Sequence, residues 1–400
     1  MKKLIFFLLL FTTVAGAQNG GTVESRYGIG ELDLMTTSRQ RGMGSSAVGL
    51  LSATDINNLN PAAWSGVNGL RLQGGMSFEY IAMSRSDEAV SSGAIKGFSF
   101  LFPLEEQFRL RLVTSILPVS RSEYYTQGNG MLENDPYTVT YQGFGGLSLF
   151  RAGVSAEPIP HIKIGAAFNY YFGNIDQAWE LRFDNTAWFP ARQRRATTHN
   201  GSGFLFGLLY DGIRDFHIGA SVRPATSVRA SRNMVFEYTT QDSTVSGASG
   251  TLDLPLAFSA GIAWQASELL LLTSEYSRQD WTDALMFDRK QIGQGEAYKW
   301  SVGAEWYPYK NDTEARTLSR TAFRLGFFLQ QPYLAIDDET GMEYFITTGI
   351  GFPIFGNNRG DFALEYGWRG SESQLLGSQN ILRATLSVTV GESWFIRKRD

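Results

Sequence analysis

The sequence predicts an all-β protein: a 14-stranded antiparallel transmembrane β-barrel with an N-terminal hatch, or plug, inside the lumen. Three observations carry that prediction. Apolar side chains recur at every second position in segment after segment between residues 70 and 392. Beyond the first residues no stretch of about 18 apolar residues occurs, so no helix can span a bilayer. The connections alternate short and long, the order of an outer-membrane barrel with short periplasmic turns, long external loops and both termini inside.

Taking the elements in order, Lys2 and Lys3 precede the apolar run Leu4 to Phe11, and Ala15-Gly16-Ala17 is a signal-peptidase pattern. Residues 1–17 are therefore expected to be a signal peptide, and the chain to be exported. Residues 18–69 show no strand alternation, carry Gly28, Gly30, Gly42, Gly44, Gly49 and Gly66, and hold few charges for an exposed tail. They are expected to fold inside the barrel formed by residues 70–400, because a 14-stranded barrel encloses more space than its own side chains fill.

The barrel strands are expected at 70–83, 94–103, 107–117, 140–156, 161–173, 202–211, 215–223, 254–264, 269–279, 298–308, 321–331, 342–354, 361–370 and 380–392. The last is the clearest: Leu382, Ala384, Leu386, Val388 and Val390 alternate with Arg383, Thr385, Ser387 and Thr389. Leu382, Leu386, Val388, Ile164 and Phe168 should face lipid, and Arg383, Lys163 and Asn169 the lumen. An exchange at Arg383 is then expected to be milder than a charge placed at Leu386. A soluble sandwich would also alternate, but its second face is usually richer in Lys, Glu and Thr. Here that face carries many glycines and scattered charges of both signs, as a crowded or hydrated lumen would, with Tyr170, Phe172, Trp264, Trp300 and Trp306 near strand ends. The stretches 118–139, 174–201, 224–253 and 280–297 are read as long external loops. The polar turn 309–320 is long for the periplasmic side and has no evident role.

Composition excludes several functions. The 400 residues include no Cys, only three His and a net charge of −4. That rules out disulfides, thiolate metal sites and cysteine nucleophiles, and leaves little for metal or acid–base chemistry. Removing residues 1–17 takes away two Lys and no acid, leaving 33 basic against 39 acidic residues, a charge of −6 that does not suit nucleic acid. His199 with Ser202, or His217 with Asp215, lacks a third orienting group, so no enzyme activity, no catalytic residue, no metal and no cofactor is expected.

Three segments carry a family resemblance: Ser25-Arg26-Tyr27-Gly28-Ile29-Gly30, Arg41-Gly42-Met43-Gly44-Ser45-Ser46-Ala47-Val48-Gly49 and Asn57-Asn58-Leu59-Asn60-Pro61-Ala62-Ala63. Together they resemble the N-terminal hatch of FadL-type long-chain fatty acid transporters. Further similarity lies in Leu254-Pro255 ahead of a strand ending at Trp264, then Glu275-Tyr276 and Trp281. Gly145-Gly146-Leu147 and Trp394-Phe395-Ile396, followed by Arg397 and Lys398, look like the branch found in Bacteroidetes-like bacteria.

The resemblance implies a monomeric channel in the bacterial outer membrane, in contact with lipid and lipopolysaccharide, that takes up a hydrophobic small molecule such as a long-chain fatty acid. It makes Gly42, Met43, Gly44, Asn60, Pro61 and Ala62 the hatch and gating residues. Glycine permits close backbone approach, and Pro61 bars a helix at Asn60, so such a segment can pack irregularly against a lumen. Trp179, Trp188 and Phe189 beside Arg192, Arg194 and Arg195 would suit an amphipathic acid, or would pack on the rim and meet lipopolysaccharide phosphates. The rival expectation is an accessory barrel that binds a protein partner in a secretion or assembly complex.

Overall fold

The computed structural model describes residues 23–84, 89–185, 187–237, 243–287, 289–290, 295–308, 320–334, 341–354, 358–370 and 378–392. The expected signal peptide, most of the turn at 309–320 and the segment from Trp394 onward lie outside these residues.

Fourteen strands close the barrel: β1 (Leu70–Met83), β2 (Ala89–Glu105), β3 (Leu110–Pro118), β4 (Ser148–Ile159), β5 (Ile162–Phe183), β6 (Ala191–Ile213), β7 (Phe216–Arg223), β8 (Ala257–Ser267), β9 (Leu270–Asp280), β10 (Glu296–Trp306), β11 (Ala322–Gln331), β12 (Glu343–Pro353), β13 (Arg359–Arg369) and β14 (Gln379–Glu392). Each pairs antiparallel with the next, and β14 returns to β1 over its whole length, from Leu70 opposite Glu392 to Met83 opposite Gln379. Closure leaves no unpaired edge, which backbone crossing hydrocarbon requires.

Alternation sorts the two faces as expected. Leu382, Ile164 and Phe168 are exposed on the outer wall, while Lys163 and Asn169 are buried in the lumen and Arg383 points the same way. Leu386 and Val388 lie outward between buried Thr385, Ser387 and Thr389. Trp264, Trp300 and Trp306 are exposed on the outer wall too, Trp264 stacking on Phe216 at 5.5 Å where β7 and β8 meet the short-turn end.

The external connections correct one expectation, because they are largely strand. The segment 174–201 is the continuation of β5 and β6, paired without a break from Gly201–Tyr171 up to Ala191–Leu181. The expected strand at 140–156 also divides. Residues Asp135–Gly145 belong to a hairpin with Tyr124–Leu132 and pair with the upper part of β5, whereas barrel strand β4 begins at Ser148. A second hairpin, Thr226–Glu237 with Ser243–Leu254, pairs with the upper part of β6. Period-two alternation is weak in these hairpins because both faces stand above the bilayer, so polarity alone reads as loop. The result is a β-ribbon wall rising from one side of the external mouth.

Residues 23–69 fill the lumen, entering near the external mouth and reaching β1 at the other end. Glu31 and Leu32 pair with Arg121 and Ser120. A single helical turn, α1 (Ser38–Arg41), is capped by Thr37, whose side chain accepts from the Gln40 backbone while Gln40 returns the bond. A 3-10 turn covers Pro61–Gly66 with Asn60 as its N-cap. Pro61 does bar a helix at Asn60, which is extended, but begins one itself. Asn followed by Pro at the first helical position is the N-terminal signal that predicts it.

Candidate functional site

The seam between hatch and wall is where the chain's unusual residues converge. Asn60 is wholly buried; its amide donates to the carbonyls of Val48 (2.8 Å) in the hatch and Leu208 (3.0 Å) in β6, and its oxygen accepts from Ala62 N–H (3.0 Å). Asn57 holds the Ala47 carbonyl at 2.7 Å and accepts from the amides of Leu59 and Asn60. Two asparagines therefore tie the third hatch segment to the second, and Asn60 ties both to the barrel.

The lumen glycines explain how backbone lies against backbone here. Gly165 and Gly207 face each other on β5 and β6, Gly219 and Gly261 on β7 and β8, and Gly303 and Gly326 on β10 and β11. A Cβ on the first pair would strike Asn60, Pro61 or Ala62; on the second, Val48 or Gly49; on the third, Met43 or Gly44. The hatch thus runs along a girdle of wall glycines that meets every expected hatch residue, since Gly42 also abuts Gly349 of β12. Gly44 has φ +66°, which favours glycine at that turn, and its N–H donates to Thr347 Oγ1 at 2.9 Å.

Charge pairing supplies the rest of the seam, through wall residues and Asp33 and Arg39 that the hatch segments do not include, together with Arg41. Arg39 forms a two-pronged bond to Glu305 (2.9 and 2.7 Å), which Arg324 also holds at 2.7 Å. Arg41 reaches Glu365 at 2.9 Å, and Asp33 lies 2.5 Å from Lys96 of β2. Glu275 accepts from the amides of Ala47 (2.6 Å) and Val48 (2.8 Å), and Lys299 donates to the Ser45 carbonyl at 2.7 Å. Burial opposes the charge on Asp33, but Lys96 and Arg41 together hold its carboxyl well below the usual range. Asp55, buried among Thr37, Gln40 and Arg39, is pushed up by burial to about 6. The signal for these pairs was present in the sequence as acids and bases on the lumen face of predicted strands, but most hatch partners lie far along the chain, from 63 residues for Asp33 and Lys96 to 324 for Arg41 and Glu365.

Above the seam lies a cavity of about 270 Å³, bounded by hatch residues Glu31 to Met35, Asn58 and Leu59 and by residues of β4 and of β6 to β14. Its lining mixes Leu34, Leu59 and Phe258 with many charged side chains. Over the mouth, Ile29, Trp281, Tyr333 and Leu334 pack with Val228 and Leu252 into a buried apolar cluster, the Trp281 and Tyr333 rings 4.5 Å apart.

The six expected ligand residues are not part of that cavity. Trp179 sits mid-ribbon between Tyr141 and Gln193. Trp188 and Phe189 are exposed at the ribbon tip, Trp188 donating to Asp135 at 2.6 Å and stacking on Phe183 at 5.2 Å. Arg192 pairs with Glu237 at 3.3 Å, Arg194 is exposed and Arg195 half-buried. His199 and Ser202 lie on opposite faces of β6, His199 buried with both ring nitrogens unpartnered, so they form no nucleophile–base pair.

A family model, BamG, matches residues 1–399. The chain belongs to the BamG family. No curated protein matches it by sequence. Among solved structures, this BamG-family chain is similar to the Ralstonia pickettii toluene transporter TbuX (14% identity, TM-score 0.60), covering 89% of this chain and 98% of that one. It is similar to a Pseudomonas aeruginosa FadL homologue (13%, TM-score 0.59) and to the Pseudomonas putida toluene transporter TodX (14%, TM-score 0.59), with the same coverages. At such identity the likeness is one of fold: a FadL-like barrel.

Proposed function

We propose that this protein is a sealed outer-membrane barrel that works through protein contacts, as an accessory component of outer-membrane protein assembly. The observation that carries the reading is the seam. A hatch that swung aside in each transport cycle would have to break the buried Arg39–Glu305 and Arg41–Glu365 pairs and the Asn60 bond to the Leu208 carbonyl all together. Membership of the BamG family supports an assembly-related role. The ribbon wall offers a contact surface: Phe189 (69% exposed) and Met131 (68%) stand beside Trp188 and Leu132 at tips well clear of the barrel.

Affinity capture of the full-length protein from cross-linked outer membranes tests this. The expected result is a stoichiometric protein partner, together with a fall in other outer-membrane barrels when the protein is depleted. Capture of no partner, with unchanged barrel levels, overturns it.

The second reading is uptake of a hydrophobic solute such as a fatty acid, with Asn60 and Pro61 holding the gate. It is favoured by the FadL-like fold and by the resemblance of the hatch motifs to that family. Under it, affinity rises with fatty-acid chain length by about 0.8 kcal/mol per buried methylene. Trp188→Ala with Phe189→Ala weakens that affinity more than neutralising Arg192, Arg194 and Arg195 at high ionic strength.

A further inference from the structure

The charges lining the cavity do not balance. Glu275 is matched by Lys299 (3.1 Å), Asp33 by Lys96, Glu31 and Glu343 by Arg369, Arg278 by Glu296, and Arg383 by Glu79. Arg151 of β4 and Arg223 of β7 have no acidic partner among the described residues. Arg151 is 97% buried (3% exposed), and its guanidinium is held by neutral groups alone: Asn169 Oδ1 at 2.8 Å and the Asn58 carbonyl at 2.5 Å. Arg223 has a buried Nε with no acceptor.

Unmet donors collect around these two. The Asn169 side-chain NH2 and the Tyr171 hydroxyl are buried without partners. Asn169 cannot turn its amide round, because its oxygen already accepts from Arg151. Between the two arginines the wall is lowered by Gly203 of β6, which stands opposite Asn169 and against the Tyr171 ring. Two cations therefore line the cavity, with the neutral donors of Asn169 and Tyr171 in the wall beside Arg151, and each carboxylate that lines it has its own basic partner. A buried Arg151 beside a half-buried Arg223, with no counter-charge, is unfavourable in a low-dielectric lumen, and an anion that accepts several hydrogen bonds removes the imbalance.

We infer that this cavity is a binding site for a phosphate group, carried either by a small free phosphate or by a lipid headgroup. Phosphate fits better than carboxylate because it carries more acceptor oxygens and more charge to share between two guanidiniums, whose several N–H groups a single carboxylate leaves partly unmet. A cavity of about 270 Å³ accommodates such a group with a small organic portion. The cavity shares Asp33, Glu275 and Lys299 with the seam, but Arg151 and Arg223 take no part in the ion pairs that hold the hatch, so the inference stands whether or not the assembly role holds.

The test is thermal unfolding of the intact barrel in uncharged detergent, with inorganic phosphate compared to sodium chloride at equal ionic strength. Phosphate should raise the melting temperature saturably, as a ligand specific for the native state must, and chloride should not. Arg223→Gln should weaken the phosphate affinity at least tenfold, and Arg151→Met with Arg223→Met should abolish the shift. Where the double variant does not fold, Arg223→Gln and broadening of the wild-type phosphorus resonance give the same comparison. Dihexanoyl phosphatidic acid acting at lower concentration than inorganic phosphate, with dihexanoyl phosphatidylcholine inactive, identifies a headgroup; equal potency identifies a free phosphate. A shift that follows ionic strength alone, or that survives Arg223→Gln unchanged, overturns the site.

Discussion

Three side chains show how the same barrel assigns different costs to a change of charge. Leu386 lies outward on β14, so Leu386→Arg should cost about 2–4 kcal/mol near the bilayer midplane, read as reduced stability in lipid-vesicle refolding. Arg383, three residues earlier and inward, was expected from alternation to tolerate exchange. It bonds Glu79 and lies 3.6 Å from buried Glu365, but Arg121 still holds Glu79 and Arg41 still holds Glu365, so Arg383→Met should cost less, about 1.5–3 kcal/mol in the same assay. Asp55 behaves oppositely. Its folded pKa is raised to about 6 from 3.8, so the stability it contributes is present below about pH 4 and is lost as pH rises through 6. Asp55→Asn should therefore stabilise hatch docking at pH 7 by about 3 kcal/mol, from a shift of roughly two units at about 1.4 kcal/mol each, with the gain gone at pH 4. Melting curves of both proteins across that range decide it, and a gain independent of pH would show that Asp55 is not the titrating group.

At the scale of elements, hatch and wall are complementary surfaces rather than a plug in a pipe. Gly303→Ala with Gly326→Ala places two methyl groups against the Met43 and Gly44 backbone, which cannot rotate away as a side chain can. The barrel should still insert, but the hatch should become sensitive to protease from the periplasmic side and the pore leaky to small solutes in liposomes. Deleting residues 20–65 should go further and give the full permeability of an open 14-stranded barrel; unchanged permeability would mean that the segment is not the seal. The ribbon tip is independent of this. Trp188→Ala with Phe189→Ala removes side chains at the ribbon tip, remote from the hatch, and should leave the melting temperature and the closed state intact while reducing partner capture.

For the whole molecule, closure should be insensitive to salt. The pairs that hold the hatch are buried, with side-chain exposures of 12% and 8% for Arg39 and Glu305 and 2% and 0% for Arg41 and Glu365, and buried pairs are screened far less than exposed ones. Planar bilayers containing the intact protein should stay at baseline conductance between about 0.1 and 1 M salt, where the Debye length falls from about 10 to 3 Å. Conductance that climbs steeply over that range would mean a hatch held by surface charge, and would favour a gate.

Strand number, strand boundaries within the bilayer and the identity of the lipid face were all legible in the sequence, because a strand crossing a membrane writes its two environments into alternate residues. The external ribbons were not, since water on both faces leaves no period to read, and 174–201 passed for a loop although it is the tallest part of β5 and β6. The hatch motifs were visible as glycines and an Asn-Pro-Ala, and the wall glycines as a lumen of small residues. What only the tertiary structure decided was that these two sets meet, Gly303 and Gly326 against Met43 and Gly44, and that Glu305 and Glu365 answer Arg39 and Arg41. The reason is physical: alternation is a local property of the chain, whereas steric fit and charge pairing belong to groups that barrel closure brings together across some 300 residues of sequence.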